Sequence, residues 1–232
     1  MRFNPFVVLL SLAVVSAPAQ AQWRRAELIP EIGYTFGGGR SFDPQTIATQ
    51  AVPGGKFVLK NSMAYGVTLA IEGYSGNFFE LSYLRQDTDL GIEWNSVPPI
   101  SVVPNPNKTG GISTNQFLLG FRQELVKEER APTRPYLGAG LGFNVIDPKF
   151  NSVGGVSVDA STNFMLAANG GVKHMFGVEQ RYGLKLDFKG TWTFVPSGDY
   201  TTWCDYWYGC SVYEGTATVA QGTVKAGLVI KF

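Results

Sequence analysis

This chain of 232 residues has one histidine, two cysteines, a charged fraction of 16% and a formal net charge of +1. Each shortage removes a class of function. Imidazole chemistry rests on His174 alone, too little for a zinc centre, which needs several ligands together. A charge balance near zero gives no basic face for nucleic acid, and soluble domains usually carry about 25% charged residues. Beyond the N-terminal segment there is no run of about 18 apolar residues, which excludes helical membrane spans.

What the chain does have is glycine, 28 residues, and aromatics at 13%. In an exported protein that combination favours sheets with tight turns and ring-lined edges. Export is indicated by the start: Met1-Arg2, an apolar run from Phe6 to Val15, then "SAPAQAQ" with Ala19 and Ala21 at the −3 and −1 positions of a cut before Gln22. Residues 1–21 therefore read as a Sec signal peptide and residues 22–232 as one domain. Cys204 and Cys210 close a short loop, which in an oxidising compartment reads as a disulfide; a metal site would need further ligands that the sequence does not supply nearby.

The rest of the chain alternates with a period of two, the mark of a strand with unlike faces. In "YGLKLDFKGTWTF", Tyr182, Leu184, Leu186, Phe188, Trp192 and Phe194 share one parity, and Lys185, Asp187, Lys189, Thr191 and Thr193 the other. "AQGTVKAGLVIKF" repeats the pattern up to Phe232, and six further segments, beginning with "AELIPEIGYTFGG", make eight. Pro30 is the one breach, a cost in the middle of a sheet. The connections sort into two kinds. Those after the first, third, fifth and seventh strands are the longer ones (37–61, 87–111, 147–160 and 195–215), and the others are short. Long loops at one end and short turns at the other characterise an outer-membrane barrel. With the first strand ascending, Phe36, Tyr65, Tyr83, Phe117 and Trp192 fall near the outer rim, and Tyr136, Phe176, Tyr182 and Phe232 near the periplasmic rim, as interfacial girdles do. The fold class is all-β, an eight-stranded antiparallel up-and-down transmembrane β-barrel, in the outer membrane of a Gram-negative-type bacterium with both termini periplasmic.

On these features the chain resembles the small eight-stranded outer-membrane barrels, the superfamily of the OmpA transmembrane domain, OmpX and Ail. The resemblance rests on the signal segment, the eight alternating segments, "GYTFGGG" and the terminal "VIKF". It implies that Phe232 is part of the signal read by the barrel-assembly machinery. It implies no single activity, because one fold hosts many functions.

The polar parity places Glu31, Glu72, Glu80, Arg122, Lys173, Lys185, Asp187, Lys189 and Lys225 inside the barrel. Eight strands leave an interior just wide enough for side chains to fill, so these read as a plug of paired charges rather than an ion path, with Glu80 and Arg122 on adjacent strands as one pair. His174 falls on the lipid parity near the periplasmic end and reads as an interfacial residue. "GGG" at 37–39 and "GAGLG" at 138–142 precede no helix, so neither is a phosphate loop. No catalytic residue, metal site or cofactor is expected, and the chain is not read as an enzyme. In "WCDYWYGC", Trp203, Tyr206, Trp207 and Tyr208 are candidates for ligand contact, or else rest on the bilayer or on neighbouring loops. The function expected is structural or adhesive, with four loops displayed to a surface, host or envelope partner. The alternatives are a narrow pore for ions or a small solute, as in OmpW-like barrels, and a soluble exported barrel with its apolar face inward. The partners expected are outer-membrane lipid and lipopolysaccharide, the assembly machinery, and an extracellular ligand that composition does not identify.

Overall fold

The computed structural model describes residues 25–42, 45–47, 50–52, 55–74, 76–95, 110–126, 128, 131–149, 152–153, 156–157, 160–195, 203–205, 209–211 and 217–232. Residues 1–21, read above as a signal peptide, and Tyr206, Trp207 and Tyr208 lie outside them.

The alternating segments form eight long antiparallel strands: β1 (Ala26–Phe36), β6 (Ser62–Tyr74), β7 (Asn77–Trp94), β8 (Gly110–Glu124), β9 (Thr133–Pro148), β12 (Ser161–Phe176), β13 (Tyr182–Val195) and β16 (Ala217–Lys231). Each pairs with its sequence neighbour, and β1 pairs with β16, so the sheet closes on itself. The seam runs from Glu27↔Lys231 to Phe36↔Gly222, and the amide of Phe232 adds a hydrogen bond to the carbonyl of Ala26 at 2.9 Å. Closure removes the free edges that backbone groups could not satisfy in hydrocarbon. Pro30 sits where the β1–β16 register passes from Leu28↔Ile230 to Glu31↔Gly227 with no pair between, the place where a missing N–H costs least.

The longer connections carry short elements of their own: β2 (Gly39–Phe42), β3 (Gln45–Ile47), β4 (Gln50–Val52) and β5 (Gly55–Leu59) between β1 and β6, β10 (Ser152–Val153) and β11 (Val156–Ser157) after β9, and β14 (Trp203–Asp205) and β15 (Gly209–Ser211) after β13. The expected third strand stops near Gln86, yet β7 runs on to Trp94. It does so because β5 takes over from β6 as its neighbour, from Leu59↔Leu90 to Gly55↔Trp94, and β2 pairs with β5 in turn. The 37–61 connection is thus partly barrel wall. Its turn away from β16 is made by Gly37 and Gly38 at φ values of 72° and 100°, a region that side chains with a Cβ rarely enter.

The two faces of the wall are inverted relative to a soluble protein. Ile32, Leu81, Leu119, Leu137, Leu141, Leu184, Leu186 and Phe188 point outward and are exposed, while twelve charged side chains are buried inside. Such a continuous apolar outer face is far larger than the patches that monomeric soluble proteins expose, and is the face of a hydrocarbon-spanning barrel. The soluble reading, with the apolar face inward, is excluded by this arrangement.

Candidate functional site

The polar interior arises from strand parity. Side chains two apart along β1, β8, β12, β13 and β16 share the inner face, so charges on different strands converge on one axis. All nine residues assigned to the interior from the sequence are buried there, together with Glu27, Glu124 and Arg134. These last three sit near strand ends, where the alternation is shortest and hardest to read. The buried set holds six carboxylates, Glu27, Glu31, Glu72, Glu80, Glu124 and Asp187, and six cations, Arg122, Arg134, Lys173, Lys185, Lys189 and Lys225.

Two layers follow. In the layer nearer the short turns, the Arg122 guanidinium reaches Glu27 at 2.6 Å, Glu80 at 3.1 Å and Glu124 at 3.9 Å. Lys173 pairs with Glu27 at 2.6 Å and with Glu124. Arg134 reaches Glu124 at 3.2 Å and donates to Gln180 Oε1 at 2.7 Å. Aromatic rings complete the layer. Arg122 stands over the Phe78 ring at 4.3 Å and over the Tyr136 ring at 5.5 Å, and Lys173 and Lys185 face the same two rings at 5.0 and 5.2 Å. Such contacts strengthen when water is excluded. Tyr136, grouped by height with the periplasmic girdle, is therefore not on the outer surface: it is 1% exposed and points into the lumen. Its strand parity, shared with Gly138 and Gly140, carries that signal.

In the second layer Glu31 bridges Lys225 at 2.7 Å and Lys185 at 3.4 Å and accepts a hydrogen bond from Thr68. Asp187 pairs with Lys225 at 3.1 Å. Toward the long connections the lining becomes uncharged, with Thr35, Gln86, Gln116, Thr191, Gln221 and Thr223 all buried. Gln221 donates to Gln86, and Thr35 and Thr223 share a hydrogen bond. The ion pairs of both layers join side chains of several strands into a septum across the lumen.

At the outer wall near the long connections, Tyr83, Phe117 and Phe143 lie side by side on β7, β8 and β9, with Tyr83 and Phe117 ring centroids 5.1 Å apart. Beyond this row the wall turns polar. Asp87 pairs with Lys149 at 2.8 Å and Arg85 at 3.3 Å and accepts from Ser113 at 2.5 Å. The Lys149 hydrogen bond, then those of Ser113 and Arg85, hold the Asp87 carboxyl well below the usual carboxylate range against a smaller opposing effect of burial. The abrupt change from rings to charges marks the upper limit of the apolar band. At the other end Phe176, Tyr182 and Phe232 are exposed. His174 is exposed as well, sharing a hydrogen bond with Thr133 through Nδ1 at 2.8 Å and packing edge-on against Phe176. It points to the face opposite its buried neighbour Lys173, and among the described residues no carboxylate lies within ion-pair distance of it.

Cys204 and Cys210 are directly opposed partners in the β14–β15 pair, and Trp203 opposes Ser211. Among the described residues no group of His, Cys, Asp and Glu is arranged to hold a metal ion.

No protein-family model and no curated protein matches this chain. Solved structures do. The outer membrane protein OprG from Pseudomonas aeruginosa aligns over 90% of this chain and 95% of its own, at 13% identity and a TM-score of 0.61. The outer membrane protein AlkL, solved in lipid bilayers, aligns over 100% and 97% at 14% identity and a TM-score of 0.54. Neisserial surface protein A aligns over 89% and 97% at 14% identity and a TM-score of 0.52. At such identities the likeness is one of architecture, and it agrees with the closed ring of eight strands described above: this chain has the fold of the small eight-stranded outer-membrane barrels.

Proposed function

We propose that the protein is an integral outer-membrane barrel that acts as a scaffold, displaying its long connections to a surface, host or envelope partner. The observation that supports this most is the septum: Arg122, Lys173, Glu27, Glu80 and Glu124 bridge across the lumen in one layer, and Glu31, Asp187, Lys185 and Lys225 in the next. A lumen filled in this way favours display over conduction. The barrel then contributes rigidity, and specificity resides in the loops.

In this reading residues 1–21 are the export signal, both termini and the short turns face the periplasm, and the apolar band meets lipid and lipopolysaccharide. Phe232 serves as the tag for the assembly machinery. Cys204 and Cys210 form a disulfide that holds Trp203, Tyr206, Trp207 and Tyr208 as a contact surface, since rigid aromatic anchors bind at low entropic cost. No residue is assigned a catalytic role. The likeness to a Neisserial surface protein and to two outer membrane proteins is consistent with the location.

The test is conductance of the purified, folded barrel in planar bilayers. Silent membranes support a scaffold, whereas steady single-channel currents would replace it with a narrow pore. Fractionation with a gel of heated and unheated samples checks the location: a heat-shifted band in the outer-membrane fraction is expected, and a soluble periplasmic protein would refute it.

A further inference from the structure

Where the two ion-pair layers meet, the lumen is not completely filled. A space of about 20 Å³ lies against β8 and β9, where Gly120 and Gly140 are direct partners and bring no side chain to the inner face. The wall has little room to close it: a Cβ at Gly140 would stand 3.0 Å from the carbonyl oxygen of Leu119, and one at Gly120 would stand 3.2 Å from that of Ala139.

The lining carries both signs of charge, the carboxylates Glu80 and Asp187 and the cations Lys185, Lys189 and Lys225. Its hydroxyl and amide groups are already engaged, since Thr68 donates to Glu31 and meets Ser82, and Asn169 donates to Asp187. Two kinds of group are not. Glu80 Oε1 and Asp187 Oδ2 are buried and accept no hydrogen bond, although Arg122 stands 3.1 Å from the first and Lys225 3.1 Å from the second. Lys189 Nζ donates to Gln116 Oε1 at 3.1 Å but carries more than that one N–H, and among the described residues no carboxylate lies within ion-pair distance of it.

Acceptors short of a donor and a donor short of an acceptor thus border one small polar space. Buried polar groups left unpaired are costly. An anion in this space would face Glu80 and Asp187, a cation would face three lysines, and an apolar occupant would satisfy none of them. A water molecule suits the volume, which is about that of one water, and it both accepts and donates.

We propose that this space is a binding site for one water molecule, which accepts from Lys189 and donates to Glu80 and Asp187. Such a bridge is nearly as favourable as a direct hydrogen bond. It ties Lys189, whose protein partner is the uncharged Gln116, to a carboxylate of each layer. The polar network then runs from Glu27 through Arg122, Glu80, the water and Lys189 into the uncharged lining. The site needs only the closed barrel and is independent of what the loops contact.

The test is a crystal structure of the full folded barrel, grown in bromide and at a resolution that shows ordered water. One peak without anomalous signal is expected, within hydrogen-bond distance of Lys189 Nζ and of the Glu80 and Asp187 carboxylates. Ala167 lines the same space, so Ala167→Val carries two methyl groups into it and is expected to remove the peak. An unfilled space in the wild type would overturn the proposal, as would Lys189 turned into a direct ion pair with Glu80 or Asp187. An anomalous peak would overturn it by making the occupant an anion, and a peak retained in Ala167→Val would overturn the site's position. Should Ala167→Val fail to fold, the wild-type map decides alone.

Discussion

The guanidinium of Arg122 on β8 lies 4.3 Å above the ring of Phe78 on β7, and the two residues are direct partners in the strand register. One cation there serves three carboxylates and a ring. Replacing it with alanine leaves Glu27, Glu80 and Glu124 with less compensation in a buried layer, and removing one member of a buried ion pair costs about 3–5 kcal/mol. Arg122→Ala is expected to lose that much stability in urea unfolding of the barrel in lipid vesicles. Arg122→Met, which keeps the stem over Phe78 but not the charge, should recover little of it. A loss below about 1 kcal/mol would show that Lys173 alone neutralises the layer.

Glu80 and Arg122 were expected to pair, and they stand 3.1 Å apart. Because Arg122 also meets Glu27 and Glu124, exchanging the two charges is expected to recover only part of the stability lost by either single reversal. The same unfolding measurement, run as a double-mutant cycle, checks it: full recovery would mean the pair is isolated, and no recovery would mean it contributes nothing.

At Gly142 on β9 an added Cβ would overlap the backbone carbonyl oxygen of Phe117 on β8, and neither strand has room to yield without breaking the pairing. Gly142→Ala is therefore expected to reduce the folded fraction after refolding well beyond the 1–3 kcal/mol typical of an overpacked side chain. Gly177→Ala, at a turn position with nothing within 4 Å of the added atom, carries only the strain of its φ of 71° and should refold nearly as well. Equal yields for the two variants would contradict the geometry.

Asp87 gives the rim a pH dependence. Its carboxyl titrates lower in the folded protein than in the unfolded chain. The stability it contributes is therefore fully present above the unfolded value, about 4, and is lost as the pH falls through the folded value. Since Asp87, Arg85 and Lys149 side chains are 37%, 37% and 50% exposed, the contribution is about 1 kcal/mol or less. The protection factors of amides at the rim of β8 and β9, which remove the intrinsic pH dependence of exchange, are expected to fall as the pH is lowered below 4, and the Asp87→Asn variant to exchange faster than wild type already at pH 7. An unchanged rate in the variant would remove Asp87 from the rim's stability.

Cys204 and Cys210 face one another across β14 and β15, with one register step separating them from Trp203↔Ser211 on one side and Asp205↔Gly209 on the other. The protein isolated from the cell envelope, denatured without reductant, is expected to show no free thiol, and two after reduction. Two reactive thiols before reduction would eliminate the disulfide.

The inside and the outside of this barrel were legible in the sequence because the side-chain period of a strand is two: once Leu184, Leu186 and Phe188 are assigned to lipid, Lys185, Asp187 and Lys189 have nowhere to go but the lumen. The number of strands and the two kinds of connection were legible for the same reason, since alternation stops where pairing stops being two-sided. Tertiary structure alone decided which charges meet. Lys173 and Glu27 are 146 residues apart and Lys225 and Glu31 are 194 apart, and their contacts depend on register and closure, which no local pattern records. It also decided how far the wall rises, because β7 continues to Trp94 where β5 supplies hydrogen-bond partners, and it set Lys189 against the amide oxygen of Gln116. Periodicity assigns a side chain to a face; only the closed sheet assigns it a neighbour.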